Sequence, residues 1–286
     1  MKKLLALLLM LSAISLVSCE KNEVLPSEGE IPVSESESAE TTGSTAEETT
    51  ESTTLSMEEE IKQMEETLFD INITAQDVPA DCLDIPSDWT NISCKCGVEL
   101  SVPSDVTKTE TSGSMEVFNN ADENGVIDTS LYFIYSNDWS ETEENGPSAD
   151  EEEYMKLMYD QLGIPFDGTN ATMYDEPLKA AGIDTKGTRY GRVKGLLSVD
   201  EKALEGADET TVKAIRWAKG MTFSPFKNAY IYEKDNAHLV IHQYGENDNQ
   251  YWLNVMPDDN VEHCFMITAP DKETALKIAA SAEIAQ

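Results

Sequence analysis

The sequence predicts an α+β fold: an antiparallel sheet that includes a C-terminal four-stranded meander, helices packed on it, and a last helix closing the chain. Three observations predict it. Residues 228–233, 237–244, 250–256 and 262–268 are apolar, aromatic or β-branched runs of strand length. The gaps between them are short and polar, the length of hairpin loops rather than crossovers. Pro270 and Asp271 then open the run KETALKIAASAEI, in which Ala275, Leu276, Ala279 and Ala282 recur on one helical face. A helix that follows strands in this way is laid on their sheet. Several of the strands are apolar at both odd and even positions, so the second face also needs a cover. The helix expected at 151–162 is the candidate for it.

The earlier elements follow in order. Ser56 and Glu59 form a capping box for a short helix whose Ile61, Met64 and Leu68 share a face. Pro79, Asp84, Pro86 and Asp88 mark a loop. Residues 94–102, 114–118 and 129–136 read as strands, and Asn124-Gly125 between the last two signals a hairpin. Residues 138–150 form an acidic loop. Ser148 and Glu151 cap a helix over 151–162, with Tyr154, Leu157, Met158 and Leu162 inward and Gly163 at its end. A short helix at 176–181 stops at Gly182, and residues 190–197 read as a strand. Residues 208–219 read as a helix, with Val212, Ile215 and Ala218 or Lys219 in register before Gly220. In element order, the strand-rich end with its closing helix resembles the PsbP/Mog1 type of α+β sandwich.

Charge narrows the partners. The chain of 286 residues carries a net charge of −35. Glu20 to Glu66 holds fifteen acidic and two basic residues, and the remainder is still strongly acidic. Such a surface repels nucleic acid and anionic lipid. Residues 20–55 are little but Glu, Ser and Thr, with no aromatic residue. They cannot bury enough surface to offset the entropy of ordering. As a flexible coil this tether spans roughly 35 Å, and its self-repulsion extends it further.

The first residues define an address. Lys2-Lys3 precede fourteen mainly apolar residues, LLALLLMLSAISLV. That run is shorter than the roughly 20 residues a membrane span needs. It ends in Leu16-Val17-Ser18-Cys19, which resembles the lipobox of bacterial lipoproteins. The resemblance implies that the Cys19 thiol takes a diacylglyceryl group and that a dedicated peptidase cuts before it. The mature chain is then held on the extracytoplasmic face of the cell membrane. Two acyl chains suffice for stable anchoring, where one binds only marginally. The expected division is signal peptide 1–18, lipidated Cys19 and tether 19–55, short helix and connector 56–80, and one α+β domain 81–286. The expected partners are the membrane, through lipid on Cys19, and an unidentified ligand or envelope protein.

Few residues suggest chemistry, and no cofactor is expected. Cys82, Cys94, Cys96 and Cys264 are even in number, which outside the cytoplasm suggests disulfides. Cys94 and Cys96 are not expected to join each other, because a strand holds residues i and i+2 side by side without the disulfide torsion. Cys82 to one of them and Cys264 to the other is one pairing; four buried thiols acting as small apolar groups is the alternative. Cys94, Cys96, His263 and Cys264 do not form an expected metal site, since His263 and Cys264 point to opposite faces of a strand. His238 and His242 lie about 13 Å apart in a strand and are expected to be solvated. Asn120 to Asp128 resembles part of a calcium loop, yet Leu131 stands where a bidentate Glu belongs, and a hairpin turn is the expectation. Hydrolase, metalloprotease and phosphate-loop motifs are missing from the sequence. The domain is therefore expected to bind rather than catalyse, with an extracytoplasmic enzyme as the alternative. Tyr230, Tyr232 and Trp252 are the expected binding residues, as an aromatic platform on the meander.

Overall fold

The computed structural model describes residues 59, 62, 72–112, 115–121, 127–137, 149–245 and 247–285. The signal segment, Cys19, the tether, most of the expected helix at Ser56, the Asn124-Gly125 turn and the loop up to Ser148 lie outside them.

In chain order the first strands are β1 (Ala75–Asp77), β2 (Thr90–Ser93), β3 (Val98–Val102), β4 (Val106–Ser112), β5 (Met115–Ala121) and β6 (Ile127–Asn137). Helix α1 (Ala149–Leu162) follows, then a π-turn, Ala171–Asp175, that runs into α2 (Glu176–Ala180). Next come α3 (Arg189–Ser198) and α4 (Glu209–Phe223). The chain closes on β7 (Phe226–Lys234), β8 (Ala237–Tyr244), β9 (Gln250–Met256), β10 (His263–Thr268), α5 (Lys272–Ser281) and β11 (Glu283–Ile284).

The expected meander β7 to β10 forms the middle of an eight-stranded sheet of order β1-β7-β8-β9-β10-β6-β5-β4. All its neighbours pair antiparallel except β1, which adds to β7 in parallel. A second sheet of three strands, β11-β3-β2, lies apart from it.

Register decides which side chains face which layer. Leu239 pairs with Val255, Ile241 with Leu253, and Leu253 with Phe265, so these residues share one face. Helix α5 covers that face through Ala275, Leu276, Ile278 and Ala279, and the small sheet adds Val98, Leu100 and Val102 to the same core. The next residues along, Val240 and Met256, face the other way with Ala229 of β7. They meet Leu178 of α2, Leu196 and Leu197 of α3, and Ile215 and Phe223 of α4. The sheet is thus apolar on both sides and covered on both, as the sequence requires. The second cover comes from α2, α3 and α4, not from α1. Tyr159 of α1 instead meets Trp217 of α4 edge-on at 6.2 Å and stacks on Phe166 at 4.1 Å.

Helix α5 is capped at both ends. Asp271 accepts from the Thr274 amide at 2.8 Å and opens α5. Lys234 donates to the Ala282 carbonyl at 2.7 Å and to the Ser281 carbonyl at 3.2 Å, which satisfies the other end of α5.

Several expectations are corrected. Residues 94–97 are a turn between β2 and β3, with Gly97 at φ 82°, rather than the start of a strand. Strand β4 was not expected: its VTKTETS is polar, and it forms the sheet's edge, where apolar alternation is not needed. Helix α1 buries Met155, Met158, Tyr159 and Leu162, while Leu157 is exposed, so its inner face is turned from the expected one. Helix α4 runs through Gly220 to Phe223, because Gly220 is itself buried and packed.

The largest correction is α3, read from sequence as a strand. Thr188 caps it, its hydroxyl accepting from the Gly191 amide at 3.0 Å. Gly191 and Gly195 lower its intrinsic propensity but serve packing. A Cβ at Gly195 would lie 3.1 Å from Leu178 and 3.3 Å from Ile183, and one at Gly191 would lie 1.9 Å from the Thr185 carbonyl oxygen. The latter neighbour is backbone, so something must move. At an unhindered helical site Gly→Ala stabilises by roughly 0.5–1 kcal/mol. Here Gly191→Ala is expected to destabilise by about 1–3 kcal/mol, read from the urea unfolding midpoint. A stabilised variant would refute the close approach.

Candidate functional site

The expected aromatic platform is divided by the sheet. Tyr230 pairs with Ile241 and Tyr232 with Leu239, so both tyrosines stand on the α5 side, half-buried against that core. Tyr230 lies 6.5 Å from the buried Tyr251, and the Lys234 ammonium sits 5.5 Å from the centre of the Tyr232 ring. Trp252 pairs with His242 and faces the other way. It stands in a cross-strand row with Met266 and Tyr135, all three half-buried. The three expected residues therefore make no common surface.

The four cysteines are thiols in the structure. Cys82 and Cys94 belong to the core under α5. Cys264 pairs with Asn254 and faces the helical side. The sheet stands between Cys264 and the others, so the pairing expected for it does not form. Burial pushes the Cys94 and Cys264 thiols up, and nearby negative charge adds to this. Among the described residues no group of three or more His, Cys, Asp or Glu is placed to hold a metal. At the two ends of the calcium-like stretch β5 and β6 pair, with Asn120 opposite Asp128 and Ala121 opposite Ile127, and residues 122–126 lie outside the described residues.

What the structure assembles instead is a polar seam between the first turn of α3 and the β9–β10 end of the sheet. The Tyr190 amide donates to the Asp259 carbonyl at 3.0 Å, and the Arg189 amide donates to Asn260 Oδ1 at 3.3 Å. The loop is shaped for this by Asp258, whose carboxylate accepts from the Asn260 and Val261 amides at 2.8 and 2.9 Å. Those bonds hold the Asp258 carboxyl below its usual range. Arg189 forms an ion pair with Glu262, whose side chain is only 6 % exposed. Asn254 donates to Glu262 and, at 3.6 Å, to the Cys264 sulfur. Burial pushes the Glu262 carboxyl up, and the Arg189 charge acts against that.

Toward the surface, the Tyr190 ring stacks on His238 with centroids 4.0 Å apart and planes 1° from parallel. The Tyr190 hydroxyl and the Lys194 ammonium both donate to Glu233, at 2.8 and 2.6 Å. Asp259 lies 3.4 Å from His238 Nε2. Apart from Asp258, which is met by amides, each charge named in the seam faces an opposite one: Lys194 with Glu233, Arg189 with Glu262, and Asp259 with His238 when protonated. Such an arrangement fixes α3 to the sheet. It leaves little freedom for proton transfer to a third party.

Arg189 and Tyr190 were missed because their segment was read as a strand. Asn254 carried a legible signal, being the one polar residue in LNVM. His242 corrects the expectation of a solvated residue. It is buried between Phe223 and Phe226, with centroids at 5.4 and 4.6 Å, and burial alone depresses its pKa to about 3.

No family model, no curated protein and no solved structure matches this chain.

Two outcomes follow from the buried charges. Arg189→Ala strands the Glu262 carboxylate and is expected to cost about 2–4 kcal/mol, below the full buried-pair value because Arg189 is 40 % exposed. The double variant with Glu262→Gln is expected to recover most of that in urea unfolding. A double variant no better than the single one would disprove the pairing.

His242 has a folded pKa below its ordinary 6.5, so its contribution is intact above that pH and is lost as pH falls toward 3. The slope is about 1.4 kcal/mol per pH unit. His242→Phe is expected to flatten the fall in stability between pH 6 and 4 relative to wild type. Parallel curves would contradict it.

Proposed function

We propose that this chain is a lipoprotein of the extracytoplasmic face of a bacterial cell membrane, anchored through Cys19, and that its α+β domain binds a ligand or envelope protein without catalysing a reaction. The observation that carries the anchor is the order Lys2-Lys3, apolar run, Leu16-Val17-Ser18-Cys19, followed by the Glu/Ser/Thr tether. The first described strand, β1, lies at the sheet's edge, so a tether can join the domain there without crossing its core. Binding is supported over catalysis by the mutual commitment of charges in the seam. His242, Glu262 and Cys264, each displaced from its ordinary protonation by burial, are enclosed. The row Trp252–Met266–Tyr135 is the binding surface, because each side chain has an apolar body still partly open to solvent.

The anchor is tested by labelling with a radioactive fatty acid and by detergent phase partition. Wild type is expected to carry label and enter the detergent phase, and Cys19→Ala to do neither. An unlabelled wild-type chain in the aqueous phase would overturn the anchor. For the surface, a photo-crosslinking residue at Trp252 is expected to capture an envelope component in intact cells. The same residue at exposed Leu157 serves as the control, and equal capture at the two positions would remove the row as the site.

A further inference from the structure

Cys94 and Cys96 are two residues apart, and the structure places them in a turn. The Gly97 amide donates to the Cys94 carbonyl at 3.0 Å, closing a β-turn over residues 94–97, and the Cys94 amide donates to the Val98 carbonyl at 2.9 Å. The objection to joining these two rested on a strand, where residues i and i+2 sit about 6.6 Å apart. A β-turn brings its first and fourth Cα atoms within about 7 Å, and its first and third closer, to roughly 5–6 Å. That is the usual Cα separation across a disulfide.

The two side chains adjoin one core cluster, and Cys96 is close enough to Cys94 to act on it electrostatically. Cys94 is part of the core under α5, and Cys96, half-buried, packs against the same cluster. The turn is held from outside, since the Lys95 amide between the two cysteines donates to the carboxylate of Glu116 at 2.6 Å. Glu116 is itself buried and paired with Lys108. Burial and the neighbouring Cys96 and Glu116 push the Cys94 thiol up, and the Ser136 hydroxyl, beside its sulfur, acts against them.

We propose that Cys94 and Cys96 are a redox-active dithiol, which closes to an intramolecular disulfide by exchange with a small or protein disulfide. The half-buried Cys96 attacks first, as its thiolate: its sulfur bonds to one sulfur of the incoming disulfide and the other leaves as a thiolate. Cys94 then gives up its proton and attacks the Cys96 sulfur, expelling the second thiolate. The two cysteines lose two electrons and two protons, and the incoming disulfide becomes two thiols. A ring closed over so short a loop is strained, which places this site among the labile disulfides rather than the structural ones. The inference does not rest on the lipid anchor, since exchange requires only a disulfide partner.

Two proteases together supply the readout: trypsin cuts after Lys95, between the two cysteines, and an Asp-specific protease cuts before Asp84 and Asp88, which separates Cys82 from Cys94. The full chain is incubated with oxidised glutathione, quenched in acid, alkylated under denaturing conditions and digested. The fragment ending at Lys95 and the fragment beginning at Cys96 are expected to be recovered joined, and to separate on reduction. Recovery of both fragments separately alkylated, or of either joined to the Cys82 or Cys264 fragment, would overturn the proposal. Cys94→Ser is expected to stop the reaction at a glutathione adduct on Cys96. Absence of that adduct would equally overturn the assignment of Cys96 as the attacking group.

Discussion

The structure depends on strands β8 and β9 being apolar on both faces. Leu239, Ile241, Leu253 and Val255 look one way; Val240 and Met256 look the other. A half-wet antiparallel sheet needs one covering layer, but this sheet needs two. Helix α5 is compact, with three alanines among its ten residues, so it can lie close to the first face. Helices α2, α3 and α4 meet on the second, and the glycines of α3 let them approach. The seam at Arg189 and Tyr190 marks where the second cover is fastened. Apolar contact alone would let α3 slide over the sheet, whereas directed bonds to Asp259, Asn260 and Glu262 fix its register.

Legibility in the sequence tracked how local each element's reasons are. The meander and α5 could be read from chain pattern because their periodicity, turns and caps all agree. The α3 segment RYGRVKGLLS could not, because its glycines argue against a helix and Leu196-Leu197 fit a buried strand equally well. Only Leu178, Ile183 and Thr185, distant in pattern though near in space, explain those glycines. The cover of the second face was correctly required but attributed to 151–162. Periodicity says that a face must be buried and does not say by what.

The candidate site was less legible than the fold. Aromatic content suggested Tyr230, Tyr232 and Trp252, but alternation along a strand fixes only relative facing within one strand. The register between β7 and β9, set through β8, puts Trp252 opposite the tyrosines. The seam joins residues from positions 189 to 264, and no motif spacing could announce it. The cysteines are a different case: the Gly97 turn signal was present, and reading 94–102 as one strand hid it.

Strand β1 gives the N-terminal edge of the eight-stranded sheet a mechanical character. It contributes three exposed residues, paired in parallel to β7 between the buried anchors Ile73 and Val78. Tension arriving along the chain from the N-terminal side meets this ribbon before any other strand. Its backbone bonds are each worth about 0.5–1.5 kcal/mol net. Its three residues span about 10 Å at 3.3 Å per residue. Once peeled, it uncovers the edge of β7, and the same bonds draw it back when the pull ceases. The sheet thus meets a pull from that side through its shortest strand, set at its edge.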